Sequence, residues 1–243
     1  HAGTEPPKAR TAVISFDKLD VEKGMEILDA RGNAMWLKQP WSILAWQIAG
    51  PEGLKLLHAE GKTEERESAP AENLLTDLLA LPLKDGLSTL ILLDEVLMYA
   101  REKIGFDPVW RSRLQNFFQY LTQAATKVDK CAVVASLLAT DPHKSDKLGK
   151  EITGELYAIF RREREEGVQP VVKEDVAEVL RRRFFTAVSI KDRETFRSHV
   201  MSALKGITNL DEKTKKEAKA AEERFLRSYP FHPELTEIFY SKW

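Results

Sequence analysis

Hydrophobic residues gather in three short, nearly continuous runs in the first half of the chain: Thr11 to Phe16 (TAVISF), Ser88 to Leu93 (STLILL) and Cys131 to Ser136 (CAVVAS). Runs this short and this rich in β-branched residues predict parallel strands covered on both faces. Helical patterns fill the intervals. Pro40 to Ala49 (PWSILAWQIA) puts proline at a helix start, and Ala71 to Leu81 (AENLLTDLLAL) reads as a second helix. Leu114, Phe117, Phe118, Leu121 and Ala125 follow the i, i+3, i+4, i+7 rule, which predicts an amphipathic helix from Trp110 to Lys127. Strand, helix, strand, helix, strand describes an α/β fold with an open, mostly parallel sheet and flanking helices.

The pattern changes after the third run. Ile152, Leu156, Ile159 and Phe160 share one helical face, and Val176, Val179, Leu180 and Phe184 share another. Between them Val168 to Val172 (VQPVV) suits a fourth short strand, with Lys173, Glu174 and Asp175 opening the next helix. Residues 189–229 read as helices, the last spanning Asp211 to Ser228 and stopped by Pro230. The expected organisation is an α/β core over residues 1–186 and a C-terminal helical extension over 187–243. The polar stretch Glu60 to Ala71 (EGKTEERESAPA) is the expected mobile loop.

Composition narrows the class. The 243 residues suffice for one large domain or two small ones. No apolar run approaches the roughly 20 residues of a membrane span, and HAGTEPPKAR at the start lacks a signal-peptide core, so a cytoplasmic protein with no membrane contact is expected. With 37 basic and 38 acidic residues the net charge of −1 argues against a surface built wholly for nucleic acid, while leaving room for a local patch. A single cysteine, Cys131, excludes internal disulfides and cysteine-based metal sites.

Ligands of open α/β sheets bind at the carboxyl ends of the strands, so the residues ending each run carry the chemical information. These are Asp17, the pair Asp94-Glu95, and Ser136 to Asp141 (SLLATD). Leu90 to Glu95 (LILLDE) has the form of a Walker B element, in which Asp94 would hold Mg²⁺ through water and Glu95 would orient and deprotonate an attacking water. A solvated strand-end turn has the same composition. Ser136 and Thr140 sit where a γ-phosphate sensor would end the next strand, and helix capping or turn chemistry suits them equally. The phosphate-binding pattern G-x-x-x-x-G-K-S/T is missing: Gly61-Lys62-Thr63 has Leu56 in place of the first glycine and follows a helical rather than a strand pattern.

Several segments resemble a known family. Trp36 to Gly50, Leu92 to Ala100 (LLDEVLMYA), Val133 to Asp141 (VVASLLATD), Val179 to Phe185 (VLRRRFF) and Tyr229 to Trp243 (YPFHPELTEIFYSKW) are similar to AAA-type P-loop ATPases of domain of unknown function 499. The resemblance runs in order along nearly the whole chain, and Tyr-Pro-Phe-His-Pro-Glu-Leu is its most specific element. These are bacterial and archaeal proteins often encoded in anti-phage gene clusters. The resemblance implies an ATP hydrolase requiring ATP and Mg²⁺, working with other subunits of a homo-oligomer or defence complex. It also implies that residues 1–243 are an excised middle, inactive alone, with a P-loop upstream and an arginine-rich region downstream. Carried over by position, Asp94 and Glu95 match the Walker B pair and Ser136 or Thr140 the sensor. Arg161 and Arg162 are candidates for an arginine finger, and Arg181 to Arg183 form a second set; solvated helix faces with nearby glutamates suit both better.

Trp36, Trp41 and Trp46 recur every five residues; core and helix-docking positions suit them better than a base-stacking platform. The five histidines show no metal-ligand spacing, and His232 is read as a hydrogen-bonding residue fixing its turn. The competing class is a non-catalytic α/β module that binds nucleic acid or a protein partner through Arg181 to Arg183 and Lys213 to Lys219. A metal-dependent hydrolase using Asp17, Asp94 and Glu95 is a further alternative.

Overall fold

The computed structural model describes residues 7–58, 61–137, 147–161, 172–186, 193–207, 212–217 and 219–242. The chain divides into two compact units, residues 1–167 and 168–243. In chain order the first unit contains β1 (Ala9–Ser15), a hairpin of β2 (Met25–Leu28) and β3 (Ala34–Leu37), α1 (Pro40–Ala49), α2 (Pro51–Leu57), α3 (Glu72–Ala80), β4 (Ser88–Asp94), α4 (Val96–Phe106), α5 (Trp110–Lys127), β5 (Cys131–Ala135) and α6 (Lys147–Arg161). The three apolar runs form one parallel sheet in the order β1-β4-β5, which makes the fold α/β.

The register sets Thr11, Leu90 and Ala132 level with one another, and likewise Val13, Leu92 and Val134. The alternate residues Ala12, Ile14, Ile91 and Leu93 face a core with Trp41, Leu44, Leu75, Leu78, Phe117 and Phe118. Trp41 stacks on Trp110 with centroids 5.8 Å apart and planes 10° from parallel, tying α1 to α5. The opposite face is open: Val13 is 42% exposed and Val134 56%, which corrects the expectation of strands covered on both sides. Handedness explains this. Crossovers between parallel strands are right-handed, and β1 to β4 to β5 moves twice in one direction, so both sets of connecting helices fall on the same face.

The hairpin was not expected. Met25 to Leu28 pairs antiparallel with Ala34 to Leu37, around a turn in which Asp29 Oδ1 accepts the N–H groups of Arg31 and Asn33, both at 2.8 Å. Trp36 lies on this hairpin and is 59% exposed, not a core residue. Its Nε1 donates to Lys23 O at 2.5 Å, whereas Trp41 and Trp46 are buried as expected. The polar stretch after α2 has no regular structure in residues 61–71, yet it is pinned at two points. Glu65 accepts the Lys38 and Gln39 N–H groups at the start of α1, each at 2.9 Å, and Trp41 Nε1 donates to Arg66 O at 2.9 Å.

The second unit contains α7 (Val176–Phe184), α8 (Arg197–Ile207), α9 (Glu212–Glu217), α10 (Lys219–Ser228) and α11 (Pro233–Lys242). Its small core joins Val200, Leu204, Ala221, Phe225 and Leu226. α7 packs against α10 and α11, so the division falls earlier than the boundary after residue 186 that the sequence suggests. The strand expected at 168–172 lies, but for Val172, outside the described residues, and the helix expected over 211–228 is described as α9 and α10. The buried residues of α7 are Ala177 and Arg181, while Phe184 is 70% exposed, which overturns its expected apolar stripe. Among the described residues no helix is long and apolar enough to cross a membrane.

Candidate functional site

The central strand β4 ends in Asp94, and two hydrophobic strands flank it, so the carboxyl end of the sheet gathers residues from three separate stretches of sequence. Register places Ser15, the last residue of β1, beside Asp94. On the other side Ser136 N–H donates to Leu93 O at 2.8 Å, extending the β4–β5 ladder by one step beyond β5. Asp17 follows in the short 3-10 turn Phe16–Lys18 and is exposed. That turn is anchored because buried Phe16 meets Tyr99 of α4 and Phe118 of α5, with centroids 5.2 and 6.2 Å away.

Glu95 has φ 54° and ψ 37°, a left-handed backbone that residues with a Cβ adopt at a cost. It caps α4, and its N–H donates to Asp94 Oδ1 at 3.1 Å. The chain thereby turns sharply from strand to helix, leaving Asp94 exposed and Glu95 half-buried at the rim. Immediately beyond, Val96, Leu97, Tyr99 and Ala100 are buried and fix the helix. Strained backbone held in place by such packing is a recurrent mark of functional sites.

The structure therefore brings Asp94, Glu95 and Ser136 together, with Ser15 added. Ser15 was missed because it sits inside an apolar run, and only the register shows that the strand ends there. Thr140 and Arg162 lie outside the described residues. Arg161 ends α6, its guanidinium 5.3 Å from the Tyr157 ring of its own helix, and α6 is held to α5 by Arg111, which reaches Glu155 at 2.5 Å and Glu151 at 3.0 Å. No described contact joins Arg161 to the acidic pair. Asp17, Asp94 and Glu95 do not form a metal-holding group, and among the described residues no set of three or more His, Cys, Asp or Glu does. Gly61, Lys62 and Thr63 lie in the irregular stretch, with no helix directly behind them. Cys131 is half-buried, and burial pushes its thiol up to about 11.

In the second unit Arg181 is 3% exposed. Its Nη1 donates to Arg227 O at 2.6 Å and Tyr229 O at 2.8 Å, and its Nη2 to Glu178 at 2.8 Å. Arg182 pairs with the same Glu178 at 3.0 Å. Two of the three consecutive arginines are thus committed within their own unit. His232 Nδ1 accepts the Glu234 N–H at 3.3 Å at the start of α11, and its ring meets Phe225 edge-on at 5.0 Å, which is the turn-fixing role its position suggests.

The second unit is similar to a known domain. Residues 171–241 match the DUF499 second domain. The Tyr-Pro-Phe-His-Pro-Glu-Leu stretch, with its cis Tyr229-Pro230 bond, falls inside that DUF499 match, as do Arg181 and His232. No curated protein and no solved structure matches the chain.

Proposed function

We propose that the carboxyl end of the β1-β4-β5 sheet is the metal-holding and water-activating half of an ATP-hydrolysing site of the AAA P-loop type. Asp94 holds Mg²⁺ through water, and Glu95 orients and deprotonates the attacking water. Ser136 contacts the γ-phosphate or that water. The donor set fits Mg²⁺, since a strand-end carboxylate and hydroxyls are the hard oxygen ligands it prefers. The observation that carries the reading is Glu95 itself: a carboxylate held in a costly left-handed conformation at the end of the central strand, with a serine on either side.

Topology supports a split site. The Gln47 carboxamide closes the outer edge of β1, accepting the Val13 N–H at 2.5 Å and donating to Val13 O at 2.9 Å. Among the described residues no strand pairs with the outer edge of β5. A helix covering the open face must, by right-handedness, follow a strand beside β5 and run back towards β1. Such a strand–helix unit places a helix N-terminus at the crevice next to Ser136, where phosphate binds. The phosphate cradle comes from this unit, supplied outside residues 1–243 by the same polypeptide, and arginines of neighbouring subunits complete the site.

ATP hydrolysis by the full-length protein tests the reading. Glu95→Gln lowers turnover by about 10²- to 10⁴-fold while ATP binding persists, and Asp94→Asn weakens Mg²⁺ binding and lowers Mg²⁺-dependent turnover with it. Full activity in Glu95→Gln refutes the general-base assignment. Hydrolysis by residues 1–243 alone refutes the split site.

A further inference from the structure

A cleft of about 370 Å³ opens beside the amino-terminal half of β1, away from the acidic pair. Four stretches of chain build it. Arg10 comes from the start of β1, Asp29 and Arg31 from the hairpin turn, Gly50 and Glu52 from the junction of α1 with α2, and Lys84 from the 3-10 turn before β4. Arg10 is level with Thr89, the second residue of β4, so the cleft lies at the opposite end of the strands from Ser15 and Asp94. Arg10 also borders a neighbouring cavity of about 380 Å³, which shares Asp29 and Ala30 with the cleft.

The walls are built rather than incidental. Gly50 has φ 58°, and a Cβ there would meet Asp29 Oδ2 at 3.0 Å, so only glycine lets the helix junction close on the turn without strain. Both Asp29 oxygens are engaged within the turn: Oδ1 accepts the Arg31 and Asn33 N–H groups at 2.8 Å, and Oδ2 accepts Asn33 Nδ2 at 2.9 Å. Glu52 lies 3.8 Å from Lys84, both on the exposed rim. The guanidiniums of Arg10 and Arg31 make no hydrogen bond or salt bridge among the described residues, and Arg10 Nε is shielded from solvent without an acceptor. A shielded donor of this kind costs free energy until an acceptor arrives.

We propose that this cleft binds a small phosphate monoester bearing hydroxyl groups. Two arginines lining one cleft, from β1 and from the hairpin turn, supply the charge and donors that suit a tetrahedral dianion. Glu52 and Asp85 on the rim accept from hydroxyls of the same ligand. The volume is at the lower end for small-molecule pockets, which matches a ligand the size of a sugar phosphate.

Titration calorimetry on the whole chain, with inorganic phosphate, ribose 5-phosphate and ribose as probes, tests the assignment. Ribose 5-phosphate binds saturably and more tightly than inorganic phosphate, and ribose does not bind. Arg31→Gln, in an exposed turn that tolerates the change, weakens binding about tenfold to a hundredfold, as does Arg10→Gln, while Asp94→Asn leaves it unchanged. Failure to saturate below about 10 mM, or unchanged affinity in Arg31→Gln, overturns the proposal. Because Asp94→Asn is silent here, the outcome is independent of the hydrolytic reading.

Discussion

Replacing Glu95 by glycine separates the strain at the acidic pair from its chemistry. A residue with a Cβ pays about 1–2 kcal/mol in the left-handed region, and Glu95 occupies it at φ 54°. Glycine relieves that strain but gives up roughly 0.5–1 kcal/mol in greater unfolded-state entropy. Removing the carboxylate also forfeits a favourable charge at the N-terminus of α4, worth about 0.3–1 kcal/mol. Glu95→Gln loses that charge and keeps the strain, so it is the proper reference. Glu95→Gly should therefore be more stable than Glu95→Gln by about 0.5–1 kcal/mol, or about 1–4 °C in Tm for a chain of this size. Urea unfolding followed by tryptophan fluorescence reads mainly the first unit, since four of the five tryptophans, Trp36, Trp41, Trp46 and Trp110, lie in it. Lys130, at φ 55° in the turn before β5, is the control: Lys130→Gly should gain a similar amount without touching the site. A glycine variant less stable than Glu95→Gln refutes the strain argument. Stabilisation together with lost ATP hydrolysis in the full-length protein is what a strained functional residue requires.

Arg181→Ala should destabilise the second unit by about 2–4 kcal/mol, since it leaves Arg227 O, Tyr229 O and Glu178 without their shared donor, and a thermal melt by far-ultraviolet circular dichroism reads it. Arg181→Lys should rescue little of this, because one ammonium cannot span both carbonyls and the carboxylate; full rescue would show that charge alone matters. Gln47→Ala should cost about 0.5–1.5 kcal/mol and free the outer edge of β1, giving concentration-dependent association by light scattering. Hydrogen bonds from Asn33, first its side-chain amide, hold the Asp29 carboxyl below the usual carboxylate range. Its contribution is present above the unfolded-state value near 3.9 and lost as pH falls through the lower folded value. The stability gap between wild type and Asp29→Asn, from urea midpoints, should therefore shrink between pH 5 and the acid limb, and a gap independent of pH would refute the role.

The elements set by local pattern were legible. The α5 helix runs from Trp110 to Lys127 as its periodicity predicts, and the three apolar runs pair as parallel strands. The hairpin was missed although Met25 to Leu28 and Ala34 to Leu37 flank a five-residue turn containing Gly32-Asn33, because four-residue strands are too short for alternation to stand out. The open sheet face was illegible for another reason: Val13 and Val134 read as core, and sequence does not say on which face the helices pack. The buried side of α7 was misread because Arg181 enters the interior as a donor to backbone carbonyls, a role that an apolar periodicity cannot register.

For the candidate site, residue type was legible and geometry was not. LILLDE announces an acidic pair after a buried strand, but many strands end in such a turn. Backbone sign and register distinguish this one. Glu95 is left-handed where an ordinary strand exit would be relaxed, Ser15 is level with Asp94, and Ser136 bonds to the residue before it. The sheet adds an asymmetry that no local pattern carries: Gln47 pairs with Val13 on the outer edge of β1, while among the described residues nothing pairs with the outer edge of β5 beside Ser136. On the proposed reading, a strand added at β5 and followed by a right-handed crossover would cover the exposed Val13 and Val134 and bring a helix N-terminus to the serine side of the acidic pair.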